Sequence, residues 1–162
     1  MPPRLRPATL ADGPFLRQMT YEAIQWRGGH RAPIEEVMAR PELAMIIADW
    51  GRPDDSGFVA LDEDGEPIGA AWYRTFPAHH HAYGFVDESV PEVAVALRRD
   101  KRGHGVGTAL LQALLKLARA AGFSQLSLSV EEANERARHV YAKLGFRVVS
   151  TTVGNSVMVV DL

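Results

Sequence analysis

The chain has 162 residues, which fits one domain able to bury a substantial core without cross-links. Its 18 basic and 20 acidic residues give a formal net charge of −2, leaving no basic field to collect nucleic acid or an anionic membrane. Cysteine is absent, which excludes disulfides, thiolate metal sites and a cysteine nucleophile, and suits a reducing cytoplasm.

The opening MPPRLRPATL has no long apolar stretch and reads as neither a signal peptide nor a membrane anchor, so a cytoplasmic protein is expected. Residues 5–8 read as a short first strand. Residues 10–26 have helical spacing, with Phe15, Met19 and Ala23 one turn apart. A second short helix is expected after Pro33, where Ile34, Val37 and Met38 share a face. Residues 49–57, rich in Gly, Pro and Asp, read as a loop. Residues 57–61 and 67–76 read as strands joined through residues 62–66, where Asp64-Gly65 is a hairpin turn signal. Alternation on the second of these sends Trp72 and Phe76 to one face and Tyr73 to the other.

Residues 77–89 are irregular, and Glu92–Leu97 is a short strand followed by a glycine-bearing turn over 99–107. Val106, Ala109, Leu110, Ala113, Leu114, Leu117, Ala118 and Ala121 then trace an amphipathic helix, with Gly122 where a C-terminal cap belongs. Gln112, Lys116 and Arg119 make this run too polar to span a bilayer. Residues 125–130 form a strand, 134–144 a helix, and 146–153 and 156–160 the closing strands. No repeat or linker divides the chain, so residues 1–162 are expected to form one α/β domain. Its mixed sheet of seven strands is flanked by four helices, and the central strand–helix–strand unit demands a right-handed parallel crossover.

The densest chemical signal is Arg102-Gly103-His104-Gly105-Val106-Gly107-Thr108. Glycines permit close backbone approach to a ligand, and N–H groups at a helix start form an anion-binding concavity. Arg102 adds a permanent cation with forked donors suited to phosphate. The segment reads as a pyrophosphate site, or alternatively as a tight connection whose glycines serve packing alone. The phosphate loop of NTPases is disfavoured, because no lysine precedes Thr108. A dinucleotide fingerprint is weakened, because Thr108 stands at the third glycine, although Glu131 sits near where that fold places its ribose-binding acid.

A second signature follows. Asn134 is placed to start a helix, Ala137, Val140, Tyr141 and Leu144 form one stripe, and Gly145 can close it. Together the two segments resemble the GNAT acyltransferase superfamily. Arg102, Gly105 and Gly107 match its coenzyme-A motif, arginine or glutamine followed by x-x-G-x-G/A. Asn134, Ala137, Tyr141, Gly145 and Phe146 match N-x-x-A-x-x-x-Y-x-x-x-G-F. Arg99 departs from the proline, and Leu97 from the valine, common at those places.

The resemblance implies a mostly antiparallel sheet with one splayed parallel pair, Glu92–Leu97 beside residues 125–130, holding acetyl-CoA between them. Val95, Ala96 and Leu97 would bind the pantetheine arm by their strand edge, with an N–H there for the oxyanion. Arg102, Gly103, His104, Gly105, Val106, Gly107 and Thr108 would hold the pyrophosphate, and Asn134, Ala137 and Tyr141 the pantetheine side. Tyr141 would protonate the departing thiolate. Glu92 would be the base, with Glu88 and Asp87 as alternatives. No metal is expected, since His79-His80-His81 cannot easily turn three consecutive rings onto one ion. The implied activity is N-acetylation of a primary amine on a small molecule or peptide; a non-catalytic acyl-CoA-binding domain is the alternative. Loops over 28–33 and 77–89 would shape the acceptor pocket, with Trp26, Arg27, Gly28 and Gly29 entering the first of them. A homodimer using residues 156–160 is also implied.

Overall fold

In the computed structural model, which describes residues 3–162, strand β1 (Arg4–Pro7) leads through a 3-10 turn (Leu10–Asp12) into helix α1 (Gly13–Ile24). Short helices α2 (Ile34–Met38) and α3 (Pro41–Ala44) precede the hairpin of β2 (Ser56–Leu61) and β3 (Pro67–Arg74). The remainder is β4 (Glu92–Leu97), α4 (Val106–Ala120), β5 (Gln125–Glu131), α5 (Glu135–Lys143), β6 (Arg147–Thr152) and β7 (Asn155–Asp161). Helix α3 adds a fifth to the four expected, because four residues are too few to show a helical period.

Local chemistry explains the boundaries. α1 starts three residues later than spacing suggests, since Pro14 suits a first helical turn. Arg6 anchors that start to β1 by donating to both oxygens of Asp12, at 2.8 and 2.9 Å. α4 ends where Gly122 turns left-handed at φ 93° and the Phe123 N–H reaches the Ala118 carbonyl, as a Schellman stop requires. Asn134 caps α5 by accepting the Ala137 N–H at 3.3 Å.

The seven strands form one sheet in the order β1-β2-β3-β4-β5-β7-β6. Every neighbouring pair is antiparallel except β4 and β5. This departs from the doubly wound parallel sheet of a dinucleotide-binding domain. α4 buries Leu110, Leu111, Leu114 and Ala118 on one face, against Ile68, Tyr73, Leu126, Leu128 and Phe146. α1 covers the other, setting Leu16 and Met19 on Val59, Ala70 and Trp72. Trp72 and Tyr73 therefore point to opposite faces as expected, but β3 ends at Arg74, and Phe76 packs separately with Met45 and Ala82. β7 is paired on both edges, by β5 and β6, and β6 is the strand left open at that side of the sheet. Among the described residues no helix is long and apolar enough to cross a membrane.

The segment between α3 and β2 is held by one buried ion pair. Arg74, at the end of β3, donates to both carboxylate oxygens of Asp55 at 2.9 and 2.6 Å, and to the carbonyls of Met45 and Ala48. The two side chains are 1% and 3% exposed. Removing one partner leaves the other charge buried and unpaired, which costs about 3–5 kcal/mol. Asp55→Ala is therefore expected to lose roughly that much stability in urea denaturation.

Candidate active site

β4 and β5 share a single register pair, Glu92 with Ser127, reinforced by the Ser127 N–H donating to the Pro91 carbonyl at 3.0 Å. Beyond it they diverge, while β4 stays bonded along its whole length to β3. A groove of about 1010 Å³ follows the divergence. Val95, Ala96 and Leu97 of β4 line it, as do Arg102, Gly103, Gly105, Gly107 and Thr108 of the turn, and Asn134, Ala137 and Tyr141 of α5. Glu92 lies along the same groove. Two expected members do not line it. His104 is exposed, and Val106 turns its side chain into the core beneath α4, so it can offer only its N–H.

The turn itself is shaped by Gly103 at φ 87° and Gly105 at φ 80°, values that L side chains rarely adopt. Gly105 is the N-cap of α4 and brings no capping side chain, so the helix leaves the N–H groups of Val106, Gly107 and Thr108 without intrahelical partners. Arg102 is not the free phosphate fork expected from sequence. It donates to the Glu22 carbonyl at 3.2 Å, the Trp26 carbonyl at 3.4 Å and the Glu22 carboxylate at 3.4 Å, tying the turn to the C-terminal end of α1. Arg31 meets the same carboxylate at 2.5 Å. Burial lowers the Arg102 pKa; Glu22 opposes this, and Arg99, Arg31 and Arg136 lower it further. Arg136 also crowds Gly103, where an added Cβ would come within 2.7 Å of its guanidinium. Arg31 and Arg102 thus share one internal carboxylate beside an uncapped helix start, with Arg99 and Arg136 near. Such an arrangement can hold a multiply charged anion.

At the other end of the groove, Glu92 is enclosed rather than solvated. One carboxylate oxygen accepts the Gly84 N–H at 3.1 Å, while the other is buried with no protein partner. Ser127, its register partner, carries the other unpartnered buried side-chain oxygen among the described residues. Burial pushes the Glu92 carboxyl up from its ordinary value of 4.5 to about 7, against the opposing pull of the Gly84 N–H. Gly84 fits only without a side chain, since a Cβ would stand 2.8 Å from the β5 backbone at Leu128 and Ser129. Asp87 and Glu88 do not line the groove, and Asp87 is occupied by the Ser89 N–H and hydroxyl at 2.9 and 2.5 Å.

Tyr141 faces the groove from α5, and burial pushes its phenol up to about 12, so it stays protonated through neutral pH. Asn134 lines the wall while its side chain is used as the helix cap. The three consecutive histidines lie outside the groove, and His81 stacks on Phe85 at 4.1 Å between ring centroids. Among the described residues no cluster of His, Cys, Asp or Glu could hold a metal.

Sequence reasoning singled out Trp26, Arg27 and Glu131 but not the contact that joins them. The Trp26 indole donates to Glu131, which also meets Arg27 at 3.4 Å, so the end of β5 is clasped to the segment after α1. Glu22, Arg136 and Arg40 were also missed, and within the 77–89 loop expected to shape the acceptor pocket Tyr83 and Gly84 were not singled out. Only Glu22 left a signal, an acid one turn from Met19 on the helical face that packs inward. The others depend on contacts between segments far apart in the chain.

Comparison with known proteins places this geometry in context. The family model of the Acetyltransferase (GNAT) family matches residues 19–146. The mycothiol acetyltransferase of Propionibacterium freudenreichii is 38% identical over 109 residues, which are 67% of this chain and 33% of that protein. The L-methionine sulfoximine/L-methionine sulfone acetyltransferase of Pseudomonas paraeruginosa is 36% identical over 90 residues, 56% of this chain and 49% of that protein. The chain thus matches about a third to a half of the length of these relatives. Among solved structures, the PaiA N-acetyltransferase of Thermoplasma acidophilum in complex with coenzyme A has the same fold, with a TM-score of 0.73, 19% identity and full coverage of both chains. A phosphinothricin acetyltransferase from Sinorhizobium meliloti in complex with AcCoA gives 0.68 and 23%, over 100% of this chain and 89% of that one.

The state of Glu92 has a thermodynamic consequence. Between pH 4.5 and about 7 the folded chain keeps a proton that the unfolded chain releases, so stability falls as pH rises through that window and then levels. The loss is on the order of 3 kcal/mol. Glu92→Gln keeps an acceptor for Gly84 and cannot ionise. It is expected to flatten this dependence and to be more stable than the parent at pH 8, which urea denaturation at pH 5 and 8 measures directly.

Proposed function

We propose, from the premise that the chain belongs to the GNAT acetyltransferase family, that it moves an acetyl group from acetyl-CoA to a primary amine by direct attack. The observation that carries this reading is one groove presenting a carboxyl poised near pH 7 and a protonated phenol at the divergence of two strands.

The residues present fit acetyl-CoA, which when bound would supply the activated acyl group. The uncapped N–H groups of Val106, Gly107 and Thr108, with Gly103 and Gly105, would hold its pyrophosphate. Arg136 would add charge at this end, while Arg102 acts by fixing the turn against α1. The unpaired edge of β4 at Val95–Leu97 would receive the pantetheine arm as an added strand, and one of its N–H groups would stabilise the oxyanion.

The acceptor amine, mostly an ammonium at neutral pH, must lose a proton before it can attack. Glu92 suits this step because its pKa lies near the working pH, where base strength and availability are balanced. Tyr141 would return a proton to the leaving sulfur, a donation that its high pKa leaves available throughout the neutral range. The two matched relatives act on different named acceptors, so their names do not choose one for this chain.

A coupled test uses Tyr141→Phe and Glu92→Gln. Both are expected to bind acetyl-CoA like the parent in isothermal titration, while kcat falls roughly 10²-fold or more. The rise in kcat around pH 7 should disappear in Glu92→Gln. Unchanged turnover in both variants, or an acyl-CoA complex that transfers nothing, would favour a binding domain over an enzyme.

A further inference from the structure

We propose that the acceptor is a small amino carboxylate, whose amine meets Glu92 while its carboxylate pairs with Arg40. This rests on the acetyltransferase reading above and names the substrate class of that site.

The end of the groove away from the glycine turn is walled by Arg40, Leu43, Ile46 and Tyr83 around Glu92. Arg40 is held there by backbone. It is the N-cap of α3, its carbonyl accepts the N–H groups of Leu43 and Ala44 at 3.0 Å, and Leu43 is 1% exposed in the core. Its guanidinium has one side-chain partner among the described residues, the Tyr83 hydroxyl at 3.4 Å.

Arg40 is exposed at the mouth of the groove and, like Arg136 on the same wall, is in no ion pair with the chain. Arg6, Arg31, Arg74 and Arg102 each meet a carboxylate of the chain itself. No carboxylate lies within 4.0 Å of Arg40 among the described residues, and Glu22, the acid that α1 brings to the groove wall, is taken by Arg31 and Arg102. The acceptor end therefore holds one proton-accepting group and one cation without an anion.

That arrangement discriminates between amines. A simple alkylamine arrives as a cation and is repelled by a guanidinium at the mouth of the site. An amino carboxylate arrives as a zwitterion whose two charges match Glu92 and Arg40, and the planar guanidinium fork fits a carboxylate through two hydrogen bonds. Leu43 and Ile46 supply apolar wall for the hydrocarbon between or beside those groups.

The experiment measures acetylation of the twenty proteinogenic L-amino acids and of their carboxamides, by thiol release from acetyl-CoA and by product mass. In the parent chain at least one amino acid is expected to exceed its carboxamide in kcat/KM by roughly tenfold or more. Arg40→Ala should lower that ratio by roughly 10- to 100-fold, and Arg40→Lys should retain part of it. A parent that acetylates carboxamides as well as amino acids overturns the proposal without need of any variant, as does a ratio untouched by Arg40→Ala. Titration with acetyl-CoA keeps the two readings apart. Absence of acetyl-CoA binding by the parent would sink the acetyltransferase reading itself. Binding with no amino acid acetylated would sink only the amino carboxylate.

Discussion

The structure turns on the single pair that joins β4 to β5. A parallel pair closed along its length would complete the sheet and leave no groove. Here Glu92 and Ser127 make the only register contact, and the strands then part. Two consequences follow from one break. β4 keeps polar backbone groups on an edge that no strand covers, and the protein's interior opens onto a site lined from both sides of the gap. Among the described residues the two unpartnered buried side-chain oxygens belong to the pair at the fork. Gly84 fits against β5 at the same place and donates to Glu92, so the loop before β4 completes the closed end of the wedge.

Charge is distributed to match this geometry. The glycine-turn end gathers guanidinium groups around Glu22, and the fork holds a carboxyl that burial leaves about half protonated near pH 7. With a formal net charge of −2 the chain has no general attraction for anions, so the positive potential at the turn is local. Arg102 shows how such a motif residue can work indirectly. Its hydrogen bonds hold the turn to α1, and the backbone N–H groups at the start of α4 are left without partners of the helix's own.

Much of this was legible in the sequence, for identifiable reasons. Helix α4 was readable because its apolar stripe runs for four turns, and the β2–β3 hairpin because Asp64-Gly65 marks its turn. The spacing of Arg102, Gly105, Gly107, Asn134 and Tyr141 carried the family resemblance, and all five line the groove. The opposite end of the groove was legible only as the loop over 77–89, without the residues that line it. α3 is too short to have a period, and Arg40, Tyr83 and Gly84 lie on irregular segments whose positions depend on the Arg74–Asp55 pair and on packing around Met45. Side-chain direction was also hidden, so a spacing that identified Arg102 could not show that Glu22 and the end of α1 would occupy its donors.

The most direct test is a crystal structure of the chain with acetyl-CoA bound. The account requires the pantetheine arm along the free edge of β4, the pyrophosphate on the N–H groups from Gly103 to Thr108, and the acetyl carbonyl between Glu92 and Tyr141. An acetyl-CoA molecule seated elsewhere, or one reaching the groove only after β4 and β5 close along their length, would contradict it.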